Sequence, residues 1–584
     1  MSAGNTRRIV ACLLVLAALA VLPYLGGARH AFVYDDHGQI ADNPFLESAG
    51  RWSAVLSLQT VNDGAIVNGR RPAVLLSYLA DRAVWDLNPV GWRSTNYLIH
   101  GCATLLLYLL IIRVVRRVEP EHPRNLFAFV AALLFAWHPA LVESVHVPSF
   151  RADLLVALFG LLALHGALGC RAGASPVRNG LHAAWAWVAM GGAILSKESG
   201  VVAPFLIAWC WVCFPALRPS RRMMISVVLG GLGLVVMFIV LCARPDPEGM
   251  SPPSLQAIGA EWNGRSLLYP YNLFTLPWLW WSYLRILLLP IPLIVDRVIE
   301  PVQSLGTWRF VGGSLVLLVS IGCGWAAVRR GYTWIGFGIG VLLLGFAPVS
   351  NLVPLLNPMA ERYMPLMVMG FAVVVSWCLA GAGLRAGPWT AGRTAVLAVV
   401  LVGYFVVGTL RIQEFRDDES LWQRTLRDEP RSARAHTWMG LSMQRQGRLP
   451  EAVEYFGKAH VLNPYDLTPL INHAILYGRL GELERAERML REAIAIRPSF
   501  APAHWNLAMT LQFQGRLDEA LEVVSETLRL DPYHVEARKA RIVLWVNQGR
   551  YEEALHDAEH LLLLVPDDPE ARAARSYLFE RARQ

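Results

Sequence analysis

Acidic and basic side chains that could do chemistry are concentrated in a few short polar segments of this sequence. The first segment contains Asp35 and Asp36, which are adjacent and follow an apolar run at residues 9–25. Two neighbouring carboxylates raise each other's pKa, and a low-dielectric setting strengthens this effect. Such a pair suits a general base or a divalent-cation site, although a solvated turn is the more common setting for adjacent aspartates.

Other polar segments combine acids with cations at the ends of separate apolar runs. Their candidate site residues are Arg71, His138, Glu143, Arg151, Asp153, Lys197, Glu198 and Arg362. Each has an ordinary explanation by itself, such as an arginine that snorkels to an interface or an ion pair that caps a helix. If the fold brings these residues together, they form a site suited to an anionic substrate.

The elements that must position these segments are apolar helices. The chain has 584 residues, of which 54% are hydrophobic and 17% are charged, and its mean hydropathy of +0.38 excludes an ordinary soluble protein. Eleven runs approach the roughly 20 apolar residues that a membrane helix needs. These runs are residues 9–25, 95–112, 126–142, 154–169, 181–195, 201–217, 225–242, 310–328, 334–348, 363–381 and 395–410.

Arginines indicate how these runs cross the membrane, because cytoplasmic loops are enriched in Lys and Arg. A twelfth apolar run, residues 271–294, is interrupted by prolines and carries Arg285. If that run does not cross, the arginine-rich loops all fall on one side, which we take as cytoplasmic. We therefore expect eleven spans, a re-entrant or interfacial helix at 271–294, a cytoplasmic N-terminus and polar segments that face outside. The net charge of +8 then reports membrane topology, and no nucleic-acid partner is expected.

After Arg411 the sequence changes to a strict helical repeat. Glycines recur every 34 residues, and alanines and prolines follow the same period. The glycines are Gly447, Gly481, Gly515 and Gly549. A 34-residue period with glycine in the turn is typical of tetratricopeptide repeats, which hold a peptide or a partner segment. Since such arrays have no chemistry of their own, catalysis is expected in the membrane half.

These patterns predict an all-α protein in which a polytopic membrane helix bundle precedes a tetratricopeptide-repeat α-solenoid. The expected domains are a membrane domain at residues 1–411, a linker or half repeat at 412–431, and four repeats with a terminal helix at 432–584. The excess of arginine over lysine suggests a genome rich in G and C. It therefore favours a bacterial inner membrane with periplasmic repeats. An endoplasmic reticulum membrane with lumenal repeats is the alternative.

In this order, the polar segments and repeats resemble those of the transmembrane and tetratricopeptide-repeat O-mannosyltransferases that modify cadherins. More widely, they resemble the multi-span C-type glycosyltransferases that use polyprenyl-phosphate sugars. The matching stretches are residues 32–36, 71–78, 87–89, 138–153, 196–198 and 348–363, together with the repeats. The resemblance implies that Asp35 and Asp36 lie at the active site.

By looser analogy, the resemblance implies that Glu143 and Asp153 are further acids of the site and that Arg362 and Lys197 bind the lipid phosphate. The implied reaction moves a mannose-like sugar from a polyprenyl-phosphate donor to an acceptor hydroxyl, on protein Ser or Thr, at the non-cytoplasmic face. A carboxylate takes the hydroxyl proton, and cations stabilise the charge that grows on the phosphate. The expected partners are this donor, an acceptor protein or glycan bound by the repeats, and membrane lipid.

The residues leave the cofactor and the function class open. No cofactor is certain, but an acidic pair beside a phosphate is compatible with Mg²⁺ or Mn²⁺ at Asp35 and Asp36. The competing functions are a non-enzymatic, membrane-anchored repeat scaffold for envelope assembly, and a ligase or polymerase of lipid-linked oligosaccharides. A scaffold predicts that the acids and cations named above lie scattered, whereas an enzyme predicts that they converge.

Overall fold

The structure is a computed structural model that describes residues 3–48, 50–62, 66–119, 125–242, 270–355, 357–381, 391–564 and 568–581. All regular secondary structure in these residues is helical, and they contain no β-strand. The predicted all-α fold class is thus confirmed. The described residues form two compact units, of which the first ends at Pro430 and the second begins at Arg431.

The first unit is built from α-helices that are joined by turns, by short 3₁₀ and π-helical segments and by longer irregular stretches. Among the described residues they are α1 (Ala3–Val21), α2 (Arg51–Leu56), α3 (Pro72–Trp85), α4 (Pro89–Val118), α5 (Asn125–Trp137), α6 (Val142–His146), α7 (Arg151–Ala167), α8 (Pro176–Ser196), α9 (Ala203–Cys213), α10 (Arg221–Cys242), α11 (Tyr271–Leu288), α12 (Trp308–Arg329), α13 (Thr333–Phe346), α14 (Pro365–Ser376), α15 (Ala391–Glu414) and α16 (Asp418–Asp428). Several begin at proline, which lacks the N–H that the first helical turn leaves unpaired. Asn88 in addition caps α4 by accepting the N–H of Val90 at 3.1 Å.

Six helices among the described residues are long and apolar enough to cross a bilayer. They are Arg7–Gly27, Pro89–Val118, Pro148–Ala167, Arg221–Cys242, Trp308–Arg329 and Ala391–Glu414. A seventh candidate is the pair Asn125–Trp137 and Pro139–His146, which is bent by 51°. Three shorter apolar helices are Glu198–Cys213, Thr333–Val349 and Pro365–Ala380.

The eleven apolar runs predicted from the sequence are therefore all helical, but fewer have the length and composition of a full span. The shortfall arises where a polar segment ends a helix early, and in α8, whose first turns carry Arg178 and Asn179. The twelfth run forms a continuous helix, α11, through Pro277. Its predicted re-entrant or interfacial placement stays a prediction.

Helices break at the polar segments that were predicted to carry chemistry. Between α5 and α7 the chain forms three short helical segments. They are the 3₁₀ segment Pro139–Leu141, helix α6 (Val142–His146) and the 3₁₀ segment Pro148–Phe150. The prolines begin new turns because they lack an N–H and disfavour helical backbone in the preceding residue. Every residue from 138 to 157 is buried, so polar side chains here must find partners inside the bundle.

Helix α16 falls within the predicted linker of residues 412–431 and packs as part of the first unit. Asp417 caps it by accepting the N–H of Ser420 at 2.8 Å. Trp422 is fully buried, and its ring centroid lies 4.9 Å from that of Tyr34. The segment that precedes the repeats is therefore structurally continuous with the helix bundle.

The second unit is a succession of helices, each packed against the next. They are α17 (Ala433–Arg445), α18 (Leu449–Leu462), α19 (Leu467–Arg479), α20 (Leu483–Ile496), α21 (Ala501–Phe513), α22 (Leu517–Leu530), α23 (Val535–Asn547), α24 (Tyr551–Leu564) and α25 (Pro569–Arg581). The periodic glycines occupy turns between helices with φ of 72° to 80°, which glycine adopts without steric cost. The alanine five residues after each of these glycines is fully buried.

We expect Gly481→Ala to destabilise the repeats by about 1–2 kcal/mol, because an L side chain at positive φ meets its own carbonyl oxygen. Gly481 has φ of 80° and open space around it, so the cost comes from the backbone alone. The matched control is Gly478→Ala, three residues earlier in α19 and also in open space, where alanine favours the helix by roughly 0.5–1 kcal/mol. Denaturant unfolding of the full chain in detergent, followed by circular dichroism, measures both. Equal stability of the two variants would contradict this account of the turn.

The predicted topology has a direct test by cysteine labelling in intact cells. We expect Ala573→Cys, exposed in α25, to react with a membrane-impermeant maleimide added outside. The matched control, Ala172→Cys, is exposed in a loop predicted to be cytoplasmic, and it should react only after the membrane is opened. The parent chain, whose cysteines lie in or beside apolar segments, gives the background signal. The reverse pattern of labelling would rule out the predicted orientation.

Candidate active site

The acidic pair lies in a tight turn that sends its two carboxylates into different surroundings. Tyr34, just before the pair, has φ of 56°, and a π-helical turn at His37–Ala41 follows it. Asp35 is partly exposed, and its carboxylate accepts a hydrogen bond from Gln39 Nε2 at 3.4 Å. Asp36 is fully buried. Only Asp35 is therefore open to an incoming substrate.

Asp36 fixes the backbone of the turn. One carboxylate oxygen accepts the N–H of Val33 at 3.2 Å, and the other accepts the N–H of Ser149 at 2.8 Å. Burial raises the pKa of Asp36 to about 6, although Arg93 and these hydrogen bonds oppose the rise. The predicted pair thus divides into a member that holds the loop to the α5–α7 connection and a member that reaches the surface.

Arg362 is locked in place by Glu143. The guanidinium Nη1 donates to Glu143 Oε1 at 2.8 Å, and the backbone N–H of Arg362 donates to Oε2 at 2.9 Å. The guanidinium carbon also lies 4.4 Å from the ring centroid of Phe150. Since the Glu143 side chain is fully buried, this ion pair is shielded from water and strongly oriented.

The charges around Arg362 link it to the acidic turn. Burial lowers the pKa of its guanidinium, but neighbouring groups raise it well above the ordinary value. These groups are Tyr363, Glu143, Tyr34 and Asp35. Arg362 therefore stays charged, and it lies within electrostatic reach of the exposed aspartate.

Lys197 forms a second cation beside Arg362. Its Nζ contacts both oxygens of Asp153, at 2.8 Å and 2.7 Å. It also lies 4.4 Å from the ring centroid of Tyr363, while the Arg362 guanidinium lies 5.2 Å from the same ring. The electron-rich ring of Tyr363 thus attracts two cations that would otherwise repel each other.

Arg71 provides a third, more exposed cation. Its Nη2 lies 3.1 Å from Glu198 Oε2, and the two side chains are 30% and 55% exposed. Burial opposes the charge of Arg71, but Glu198, Asp153 and Tyr363 together raise its pKa. Arg71 thus lies within electrostatic reach of Asp153 and Tyr363, the two residues that contact Lys197.

Two predicted site residues lie apart from this cluster. His138 is fully buried, and its Nε2 lies 3.1 Å from the carbonyl oxygen of Leu287. Arg151 is also fully buried, donates to Asn96 Oδ1 at 2.7 Å and forms an ion pair with Asp81. Their polar atoms have partners inside the bundle, and neither residue contacts Arg71, Lys197 or Arg362.

The side chains that could bind a divalent cation at Asp35 and Asp36 give little support to the predicted metal site. Within the residues that the structure describes, no group of three or more His, Cys, Asp or Glu side chains is arranged to hold a metal ion. Asp36 does not fit a ligand role, because both of its oxygens accept backbone N–H groups in a buried position.

The structure brings together most of the residues that the sequence singled out, although they come from five separate segments. The clustered residues are Asp35, Arg71, Glu143, Asp153, Lys197, Glu198 and Arg362. Sequence reasoning missed Tyr363 and Phe150 as the aromatic faces between the charges. Tyr363 follows Arg362 directly, which was the one available signal, whereas Phe150 is indistinguishable from a core residue by sequence.

Comparison with known proteins finds similar proteins for both the membrane half and the repeat half of the chain. Tetratricopeptide-repeat family models match residues 431–499, 479–532 and 511–578. The human protein O-mannosyl-transferase TMTC4 is 24% identical over 506 residues, which cover 76% of this chain and 65% of the human protein. Its mouse counterpart is 25% identical over 510 residues, with the same coverage of 76% and 65%. The Caenorhabditis elegans protein O-mannosyl-transferase F38B6.6 is 25% identical over 471 residues, covering 77% of this chain and 63% of its own.

This chain therefore spans less than two thirds of the length of these relatives. Among solved structures, a crystal structure of the MamA protein covers 26% of this chain and 82% of its own, with 15% identity and a TM-score of 0.24. The chain is an integral membrane protein with tetratricopeptide repeats, and it is homologous over most of its length to the protein O-mannosyl-transferases.

Proposed function

We propose that this protein transfers a sugar from a polyprenyl-phosphate donor to a hydroxyl group of an acceptor protein. The observation that carries the proposal is the partly exposed carboxylate of Asp35 within electrostatic reach of Arg362, which shares the ring of Tyr363 with Lys197. A base next to a group of cations matches the two needs of this reaction, deprotonation of a hydroxyl and stabilisation of a leaving phosphate. The printed names of the relatives support O-mannosyl transfer to protein as the reaction class.

The chemistry assigns each residue type one task. The acceptor oxygen forms a bond to the anomeric carbon while the bond from that carbon to the phosphate oxygen breaks. The hydroxyl proton passes to Asp35, and polyprenyl phosphate leaves with the electron pair of the broken bond. Attack opposite the leaving group inverts the configuration. Because phosphate leaves without protonation, cations rather than a general acid stabilise the growing charge.

The cations differ in how firmly their counter-ions hold them. Arg362 and Lys197 are paired with buried carboxylates, whereas the Arg71 and Glu198 side chains are both substantially exposed. A donor phosphate can therefore replace Glu198 at Arg71 at little cost, since an exposed pair contributes at most about 1 kcal/mol. Lys197 and Arg362 then provide fixed charges that need no rearrangement during transfer.

The remaining parts of the proposal concern the donor, the side of the membrane and the acceptor. The site faces the non-cytoplasmic side, and the repeats bind the acceptor protein or glycan. The chain acts in a bacterial inner membrane with a polyprenyl donor, or alternatively in the endoplasmic reticulum with a lumenal site. A pure scaffold has no use for the observed convergence of acids and cations. An oligosaccharide ligase shares the donor chemistry and differs only in the acceptor.

Substituting each aspartate in turn distinguishes Asp35, the proposed base, from Asp36, which fixes the loop. We expect Asp35→Asn to lower sugar transfer by at least ~100-fold, the usual contribution of a general base, without loss of folded protein. Asp36→Asn should instead reduce the yield of folded protein, because one buried backbone N–H loses its charged acceptor. For both variants we measure the yield of folded protein. We also measure sugar transfer from a panel of polyprenyl-phosphate sugars to envelope proteins of a deletion strain. Full transfer by Asp35→Asn would show that the base is assigned incorrectly.

A double variant distinguishes the stabilising role of Arg362 from its role in binding phosphate. Arg362→Gln leaves the buried Glu143 without its cation, so we expect a loss of about 3–5 kcal/mol in stability together with loss of transfer. Glu143→Gln combined with Arg362→Gln removes both charges and should recover most of the stability but not the transfer. Thermal unfolding in detergent measures the stability of each variant, and the transfer assay measures its sugar transfer. If transfer returns together with stability, Arg362 does not act on the phosphate.

A further inference from the structure

We infer that Asp418, the first residue of α16, is a positioning residue that holds the Asp35 turn in its active geometry. This inference rests on the proposed function, in which Asp35 is the base. Asp418 lies 383 positions after Asp35 in the sequence, and its side chain is only 10% exposed. Both residues belong to the first compact unit.

The Asp418 carboxylate contacts the turn on both sides of Asp35. Its Oδ1 accepts the backbone N–H of Tyr34 at 2.8 Å. Its Oδ2 lies 2.8 Å from Nε2 of His37. A single carboxylate therefore fixes the residue before the acidic pair and the residue after it.

The turn requires such a restraint because Tyr34 has a strained backbone. A φ of 56° is unfavourable for a residue with a bulky side chain, and it persists only when contacts enforce it. The Tyr34 ring packs edge-on against Phe150 at 5.5 Å and against Trp422 of α16 at 4.9 Å. The Asp418 hydrogen bond holds the peptide between Val33 and Tyr34, so without it the φ of Tyr34 can relax and carry the base away from Arg362.

Asp418 is not needed to start its own helix. The capping role belongs to Asp417, whose Oδ1 accepts the N–H of Ser420 at 2.8 Å. Asp417 is adjacent and carries the same charge, but its carboxylate accepts from Ser420 and Arg416, so it provides a matched control. Asp36 anchors the same turn through a second contact, with the N–H of Ser149. The base is thus held between the α5–α7 connection and α16.

The test compares Asp418→Ala with Asp417→Ala in the full chain in detergent. We expect Asp418→Ala to lower kcat by ten- to a hundredfold, because a misplacement of about 1 Å costs rates of this order. The KM for polyprenyl-phosphate mannose should change less than twofold. The cations proposed to bind the phosphate, Arg71, Lys197 and Arg362, are held by their own carboxylates. Asp418→Asn keeps an oxygen that can accept the Tyr34 N–H, so it should retain more kcat than the alanine variant. Asp417→Ala should leave both kinetic constants unchanged.

Hydrogen exchange of residues 31–42 provides a readout that does not depend on activity. We expect faster exchange of this segment in Asp418→Ala than in the wild type or in Asp417→Ala. Wild-type exchange, or wild-type kcat in both Asp418 variants, would overturn the inference. If no polyprenyl-phosphate sugar is transferred by the wild type while Asp418→Ala still loosens residues 31–42, the proposed function fails and the restraint by Asp418 is supported.

Discussion

The buried carboxylate of Glu143 must be neutralised where it lies, because an unpaired charge inside a helix bundle costs several kcal/mol. Arg362 meets this requirement twice, with its guanidinium at 2.8 Å and with its own backbone N–H at 2.9 Å. The pair joins the broken connection between α5 and α7 to the turn that precedes α14. Arg362 then covers the ring of Phe150, which in turn packs against Tyr34 beside the acidic pair. The geometry of the site follows from this one constraint.

The same constraint explains why every cation of the site has its own carboxylate. Lys197 pairs with Asp153, and Arg71 pairs with Glu198, so the cluster is close to neutral before a substrate binds. Exposure increases from the inner pair to the outer one, since the Glu143 side chain is 0% and the Glu198 side chain 55% exposed. An anionic headgroup entering from the exposed end therefore meets a replaceable counter-ion first and fixed charges afterwards.

Sequence reasoning was most successful where the signal was local. The 34-residue period predicted the repeats, and glycines at positive φ occupy their turns. Apolar runs predicted helices, but a run of suitable composition does not show where a proline or a polar turn will end it. Asp35 and Asp36 were equivalent in the sequence, and burial separated them, since Asp36 is fully buried and Asp35 is partly exposed. Arg151 was also a candidate site residue, but its partner is Asp81 inside the bundle.

The all-helical architecture, the repeat array and the short list of polar segments can be predicted from the sequence, because hydrophobic period, glycine spacing and helix breaks are properties of neighbouring residues. The packing of the helices determines which aspartate is exposed, which cations converge on Tyr363, and that Asp418 contacts the turn around Asp35. Those outcomes depend on distances between residues hundreds of positions apart. Such distances are set by how the helices pack and by where each buried charge finds its partner.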